Sequence, residues 1–500
     1  MITAACSADG AATTEAAETD GSTGEPGTTT EAGTTEAPTT GTGEEDPLLE
    51  GAPEPNTPPG EQVVDVFGDV GLRYWFAVRP EQVERMNEQD QNGGDIYTPG
   101  GVKTFADHLF VTSTGGNPTI ADYGKVEVRL VGESTFRPWT LKSIPSIKVD
   151  TDEFVEDLEI SGVEHIRFHN SLVGSIFREK LALEVYGRLG YPAPRATYGW
   201  VGSNVWGPEI QVPYTVVENY KRAFCKRQGD AWGGGCENMW EFVGDLDYDP
   251  FRVEAHCQLS ECETARADQF KELAVSTPPG PGYKAALEGW LDWDAYHRFQ
   301  CLSWILWTGD DALHNRNNVV IVERSDGLFQ YLPYSVDISA GQEWYRDTPL
   351  YGINVISVGC QGDPACWEDT IAACEATIAD FVALDPPALV DEVHAALAGQ
   401  GMLRDGDEGR YEEIRAWYAE RAQGALKELD NYREPPCQAP NTMCGDMCVD
   451  VQECVLECKD GELQCGPTCA PAGQCFDCLA PFEPCADGAC VPPGTCKFPF

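Results

Sequence analysis

The chain has 500 residues, with 82 acidic against 34 basic side chains, a formal net charge of −48 at pH 7 and 42% hydrophobic residues. The length allows about two to four domains and the apolar content is ample for a large core, but so acidic a chain repels phosphate backbones and anionic membrane surfaces, which argues against nucleic-acid partners. No apolar run reaches the roughly 18 residues that a membrane span needs.

Twenty-one cysteines are too many for a reducing compartment. Cys6 stands alone in ITAAC, and the other twenty form an even set, which points to a disulfide-bonded exported protein. ITAAC resembles the end of a bacterial lipoprotein signal, whose cysteine carries the lipid. Only five residues precede it, so this reading expects a signal segment upstream of Met1; the alternative is a plain tail residue. Residues 7 to about 60 repeat Thr, Glu, Gly, Ala and Pro, with no Lys or Arg before Arg73. They bury too little apolar surface to offset ordering, so residues 1–62 read as a disordered stalk. Membrane contact is then expected only through a lipid at Cys6.

A folded region is expected over 63–435. LRYWFAV (72–78) alternates as a strand, PEQVERMNEQD reads as a short helix, and HLFVTS, KVEVRLVGES and SIKVD follow as strands. SIKVD carries Lys148, a cation on a half-buried strand, with Lys142 as a second candidate for phosphate contact. SLVGSIFREKLALEVYGRLGY is amphipathic, with Ile176, Leu181, Val185 and Leu189 near one face and Gly190 closing it. PAPRATYGWV starts the next strand, and VPYTVVENY is another that carries Glu218. Residues 225–283 read as loop. GPGYKA inside it has the letters of a dinucleotide fingerprint, but prolines surround it and no strand precedes it, so it reads as a turn.

ALEGWLDWDAYHRFQCLSWILW reads as a core helix capped by Asp292 or Asp294. It leads into TGDDALHNRNN, then the strand VVIVE, the turn SDG and the returning strand LFQYLPY. Asp310, Asn317 and Asn318 therefore stand at one end of a hairpin and Asp337 returns to that end. Converging carboxylate and amide oxygens suit a hard cation such as magnesium. Irregular residues bearing Cys360, Cys366 and Cys374 follow, then helices over ATIADFVAL, PALVDEVHAALA and GRYEEIRAWYAERAQGALKEL. In the tail, 436–500, Cys437, Cys444, Cys448 and Cys454 leave gaps of six, three and five residues. Cys458, Cys465, Cys469 and Cys475 repeat those gaps, and Cys478, Cys485, Cys490 and Cys496 give six, four and five. Three four-cysteine units without a histidine read as a disulfide-stapled array rather than a zinc site.

The order of these parts resembles the catalytic loop and metal aspartate of protein kinases, without an HRD or DFG motif. Together, KVEVRLVGES with SIKVD, FREKLALEVYGRLGYPAPRATYGWV, YTVVENY, LDWDAYHRFQCLSWILWTGDDALHNRNNVVIV and LPYSVDISAG resemble the spore coat protein H (CotH) kinase family, over about residues 70–430. The resemblance implies an α+β, atypical protein-kinase-like two-lobed fold, with a β-rich N-lobe and a helical C-lobe. It implies ATP with Mg²⁺ or Mn²⁺ as cofactors, and transfer of the γ-phosphate to serine or threonine of secreted or surface proteins. By position it makes Asp310 catalytic, and Asn318, with Asn317 beside it, and Asp337 metal ligands. Lys148 would face the phosphates with Glu179 as orienting partner, and Glu218 would lie near the nucleotide. Thr308 and Ser335 depart from the family pattern, which has Asn and Asp there. An extracytoplasmic kinase is thus one expectation; a kinase-like surface binding protein or adhesin without turnover is the other. No G-x-S-x-G or H-E-x-x-H motif supports a hydrolase.

Overall fold

The computed structural model describes residues 46–58, 65–91, 103–131, 136–140, 142–171, 175–242, 257–259, 261–314, 318–341 and 349–433, with the backbone of six short strands beyond 440. The first half is β-rich: β1 (Leu72–Ala77), α1 (Pro80–Gln91), β2 (Phe105–Ala106), β3 (His108–Thr112), β4 (Ile120–Asp122), β5 (Val126–Val131), β6 (Ser146–Asp150), β7 (His165–His169), α2 (Ile176–Arg188), β8 (Ala196–Ser203) and β9 (Gln211–Glu218). Nine strands form one sheet in the order β2-β5-β6-β7-β9-β8-β1-β3-β4. β1 and β8 pair in parallel, and the other pairs are antiparallel.

Strand alternation sorts this sheet into two faces. Val128, Leu130, Ile147, Val149, Ile166, Phe168 and Val216 share one apolar core. Their neighbours Arg129, Lys148, Asp150, Arg167 and His169 line up on the other face. α2 begins where Ser175 caps it, its side chain accepting from Phe177 N–H. The Tyr198 hydroxyl donates to the Ile176 carbonyl at 3.0 Å, tying α2 to β8. Ile176, Leu181 and Val185 are wholly buried, and Gly190, at φ +73°, ends the helical run.

The second half is mostly helical: α3 (Arg222–Arg227), β10 (Cys236–Phe242), α4 (Ala265–Ser276), α5 (Tyr283–Ala286), α6 (Trp293–Leu306), β11 (Val319–Arg324), β12 (Phe329–Leu332), α7 (Val355–Gly362), α8 (Pro364–Ala383), α9 (Pro386–Gly399) and α10 (Asp407–Leu429). The molecule is α+β, sheet first and helices second. Asp292 caps α6, accepting from Ala295 N–H at 3.0 Å. β11 and β12 form the expected hairpin, with Val320 opposite Leu332, and Gly327 supplies the positive φ of its turn. Among the described residues, no helix is long and apolar enough to cross a membrane.

Three expectations change. Residues 46–58 were assigned to the stalk, yet Thr57 bridges Ala121, and Asn56 both donates to the Pro118 carbonyl at 3.0 Å and accepts from Ile120 N–H at 2.9 Å. A single Asn side chain that mimics a strand partner is enough to dock a polar segment on a sheet edge. The stretch 225–283 contains β10, paired antiparallel with β11, and α4. Its order comes from tertiary anchors that no local pattern announces: the Cys225–Cys236 disulfide and the buried Trp240 and Phe270. Cys360, Cys366 and Cys374 lie on α7 and α8 rather than in irregular chain.

The eight cysteines from Cys225 to Cys374 pair as Cys225–Cys236, Cys257–Cys262, Cys301–Cys374 and Cys360–Cys366. In the tail, β13 (Asn441–Cys444) pairs with β14 (Met447–Asp450), and β15 (Glu462–Cys465) with β16 (Thr468–Pro471). β17 (Glu483–Pro484) pairs with β18 (Cys490–Val491), so each four-cysteine unit turns back between its second and third cysteine. The expected pairing of the tail cysteines lies outside the described side chains.

Candidate functional site

The polar face of the sheet is built in rows. Arg129 on β5 stands opposite Lys148 on β6, which stands opposite Arg167 on β7. One row on, Glu127, Asp150 and His165 are abreast in the same way. Like charges directly across strands repel, so these rows are costly unless something compensates them. Arg129 is paired with Glu127. Arg167 reaches Glu241 at 3.8 Å and lies over the Tyr334 ring at 4.6 Å. Burial, and then Lys221 and Arg167, push the Lys148 ammonium down to about 7. Burial and the proximity of Asp152 push Asp150 up to about 8.

A cleft opens on this face, lined by Arg167, His169, Glu179, Tyr220, Tyr334 and Ser335 among others. It joins four parts of the chain: the strand before α2, the first turn of α2, the end of β9 and the segment after β12. The volume it leaves free is about 10 Å³, room for little more than one water molecule. The Tyr334 ring and the guanidinium above it fill part of the space.

Glu179 is 4% exposed and accepts one forked hydrogen bond from His169 Nδ1, which lies 2.8 and 2.7 Å from its two oxygens. Burial disfavours charge on His169, but Glu179 outweighs it and raises the imidazole above its ordinary range. Asp337 belongs to the same group. Burial and then the Glu179 charge push its carboxyl up to about 6, against the pull of His169 and of the Ser335 hydroxyl, which donates to Oδ1 at 3.1 Å. Two carboxyls and an imidazole therefore face one another at the end of the hairpin. The expected Lys148–Glu179 partnership is replaced by His169–Glu179, because the strand that feeds α2 is β7 and Lys148 lies one strand further out.

Asp310 and Asn318 also come together: the Asn318 amide donates to the Asp310 carbonyl at 2.7 Å, with Asn318 at φ +51°. The Ala340 N–H donates to the Leu306 carbonyl at 2.8 Å, tying the segment beyond Asp337 to the end of α6. Asn317 lies outside the described residues. The deeply held acid of this loop is Asp311, which accepts from the Ser303 hydroxyl, from Thr308 Oγ1 at 2.8 Å, and from Leu313 N–H, His314 N–H and His314 Nδ1 at 2.9 Å each. Burial opposes its ionisation, but His314 and the hydroxyls outweigh that and hold it below the usual carboxylate range. Thr308, where the family pattern has Asn, is thus a strut under Asp311.

Two further candidates stand apart from the cleft's chemistry. Lys142 is exposed in the loop before β6, its N–H donating to Thr140 Oγ1 at 3.3 Å. Glu218 lines the cleft, but its side chain is fully buried and bound by Arg195 Nη2 at 2.9 Å and Arg227 Nη2 at 2.5 Å. That carboxylate ties the end of β9 to α3 and has no capacity left for a ligand without releasing an arginine. Arg167, His169 and Asp311 escaped sequence reading. HIRFH did carry a signal, since its alternation puts His165, Arg167 and His169 on one face just before a helix whose first turn carries Glu179.

Asp337 and Asn318 offer oxygen donors of the kind magnesium takes, but among the described residues the carboxylates close enough to share one ion are those of Asp150 and Asp152 with His165, and of Glu127, Asp150 and Glu153, not Asp337 and Glu179. No protein-family model matches the chain, and no curated protein matches it. Among solved structures, the chain is similar to the proinflammatory kinase CtkA of Helicobacter pylori, with 10% identity and a TM-score of 0.29, covering 57% of this chain and 94% of that one. It is also similar to the HipA–HipB toxin–antitoxin complex with operator DNA from Shewanella oneidensis MR-1, with 9% identity and a TM-score of 0.28, covering 75% and 76%. Both scores are too low to carry a fold or an activity across to this chain.

Proposed function

We propose that this protein is a protein-kinase-like phosphotransferase of CotH type that acts outside the cytoplasm, using ATP and Mg²⁺ or Mn²⁺ to phosphorylate serine or threonine of secreted or surface proteins. The observation that supports the reading is that His169 and Glu179 line one cleft with Arg167, and that the Asp337 carboxyl lies near enough to feel the charges of both. Magnesium, when bound, would neutralise phosphate oxygens. Asp337 would hold the ion, with Asn318 as a second oxygen ligand. Glu179, fixed by His169, would keep α2 in register with the cleft. Asp310 would orient the acceptor hydroxyl, a role of positioning more than of proton removal. The four disulfides and the cysteine-rich tail fit an oxidising compartment, and a lipidated Cys6 would keep the protein at a cell surface.

A second reading is a kinase-like binding protein without turnover. It is favoured by the Arg167–Tyr334 stack, which occupies part of the cleft. Labelled ATP with Mg²⁺ or Mn²⁺ separates the two. Phosphoryl transfer to the protein itself or to a generic protein substrate by wild type, abolished in Asp310→Ala with nucleotide binding retained, is the expected result. Absence of any nucleotide binding by wild type with either metal would hand the assignment to the second reading.

A further inference from the structure

α2 carries a buried cation that the cleft does not use. Arg178 stands in its first turn, three residues past the Ser175 cap and one before Glu179. It is 6% exposed, and its Nε is wholly enclosed without a hydrogen-bond partner. Among the described residues its guanidinium makes no ion pair. In a chain of 82 acidic against 34 basic side chains, that is not for want of acids.

The local circumstances are adverse to this charge. A cation in the first turn opposes the helix dipole, and a buried charge without a partner is costly. Burial, and then the charge of Arg410, pull the guanidinium below its ordinary range, while Glu413 acts the other way with less effect. Arg410 and Glu413 both stand exposed on α10. The acids of α2 and of the first turn of α10 are engaged elsewhere: Glu179 by His169, Glu184 by Lys180, Asp407 by the Arg404 N–H and Glu408 by His394.

A second orphan lies close by on α10. Tyr418 is fully buried, and among the described residues its hydroxyl has no hydrogen-bond partner. Its ring packs on Phe381 and Trp417, with centroids 6.2 and 5.0 Å away. The Arg178 charge is felt at that hydroxyl, yet no hydrogen bond joins the two groups. A stack holds the α2 turn in place: Phe177 on His394 of α9, and His394 on Tyr411 of α10, at 6.3 and 4.0 Å between centroids. Two enclosed donors near one another, on helices fixed by other contacts, call for an acceptor between them.

We infer that Arg178 and Tyr418, with Arg410 at the rim, form a site between α2 and α10 for a small free oxyanion, inorganic phosphate or sulfate. Water supplies the hydrogen bonds but leaves the buried charge unbalanced, whereas an oxyanion meets both needs. None of the three residues lines the cleft, and the site does not rest on the kinase reading. Because Arg178 directly precedes Glu179, a bound ion would also steady the turn that carries Glu179 to the cleft.

Calorimetric titration of the full chain with sodium phosphate and with sodium sulfate, without nucleotide or metal, tests the site. Wild type should bind, and Arg178→Gln should bind at least about tenfold more weakly, the loss of one charge-assisted contact. Tyr418→Phe, which keeps the ring contacts, should lose about two- to tenfold. Without anion, Arg178→Gln should melt no lower than wild type, because it removes an unbalanced charge. Hydrogen exchange of wild type needs no variant: phosphate should slow exchange in peptides over α2. No binding of either anion by wild type would mean that water alone fills the gap, and would overturn the site. Equal binding by Arg178→Gln would place the anion elsewhere, and unchanged exchange over α2 would do the same; each overturns it. Phosphate bound above sulfate makes this a phosphate site and equal affinity a general oxyanion site; both uphold it. Anion binding at Arg178 with no nucleotide binding would leave this site standing while the kinase reading falls.

Discussion

The helical half and the cleft treat buried ionisable groups in opposite ways. In the helical half, Asp311 is surrounded by hydroxyl, amide and imidazole donors and ionises more readily than a free aspartate. His297, 2% exposed, has only the Thr370 hydroxyl at 2.9 Å and stays neutral, its pKa pushed down to about 4 by burial and then Lys284. Each group there takes the protonation state its surroundings suit. Around the cleft, Asp337 feels the charge of Glu179, and Lys148 those of Lys221 and Arg167, so like charges lie near one another. Satisfied groups hold a fold together, whereas frustrated ones of this kind mark places where a ligand completes the balance. Asp311 and Asp337 flank one hairpin yet fall on opposite sides of this division.

The largest expected effect follows from that pair. Asp311→Ala strands the Ser303, Thr308 and His314 donors and leaves His314 without its carboxylate, so it should cost about 3–5 kcal/mol of stability, as breaking a buried pair does. Asp337→Asn removes the repulsion with Glu179 while keeping the Ser335 contact, and should leave stability unchanged or raised. Urea denaturation of both variants checks the contrast; a large loss for Asp337→Asn with little for Asp311→Ala would invert it. Binding gives the opposite order: Asp337→Asn should abolish the Mg²⁺-dependent part of nucleotide binding, read by calorimetry with and without chelator.

Sequence legibility follows the same division. The hairpin over 319–332, the α6 cap at Asp292 and the buried face of α2 were all readable, because each depends on spacing over a few residues. The nearness of Glu179 to Asp337 was not expected, since the family resemblance gave Glu179 to Lys148. His169 as the partner of Glu179 was not readable, since it depends on which strand of the sheet feeds α2. Asp311 as the deeply held acid of its loop was not readable, since side-chain direction in a loop is not encoded in periodicity. β10 was hidden for a related reason: CENMWEF becomes a strand because β11 is there to pair with it.

pH sharpens the comparison at a smaller scale. An unfolded histidine titrates near 6.5 and the folded His297 near 4, so between those values the unfolded chain binds the extra proton. Stability from this group is therefore complete above about pH 6.5 and is lost as pH falls toward 4, amounting to about 2 kcal/mol by pH 5. Burial, then Lys221 and Lys148, depress His165 in the same direction, while His169 and His314, raised by their carboxylates, act in the opposite sense. His297→Asn isolates the group, because its amide still meets Thr370. Denaturation midpoints at pH 7 and pH 5 should differ less in this variant than in wild type by about 2 kcal/mol; parallel shifts would mean that His297 is charged in the fold.

The smallest effect concerns the two lysines that sequence alone left as rivals. Lys142 and Lys148 are six positions apart, and composition cannot tell them apart. Lys142 is exposed in a turn whose order comes from a backbone contact with Thr140, so Lys142→Gln removes a hydrated charge and nothing else. Such surface changes stay within about 0.5 kcal/mol, and ATP affinity measured by calorimetry should be unchanged. Lys148→Gln replaces an ammonium crowded by Lys221 and Arg167 with a neutral amide. It should leave stability equal or slightly higher, because a like-charge contact is relieved, while weakening ATP binding. That dissociation, stability up and affinity down, belongs to a group placed for a ligand. A Lys148→Gln variant that loses both together would make Lys148 a structural lysine and return the cleft's positive face to ordinary packing.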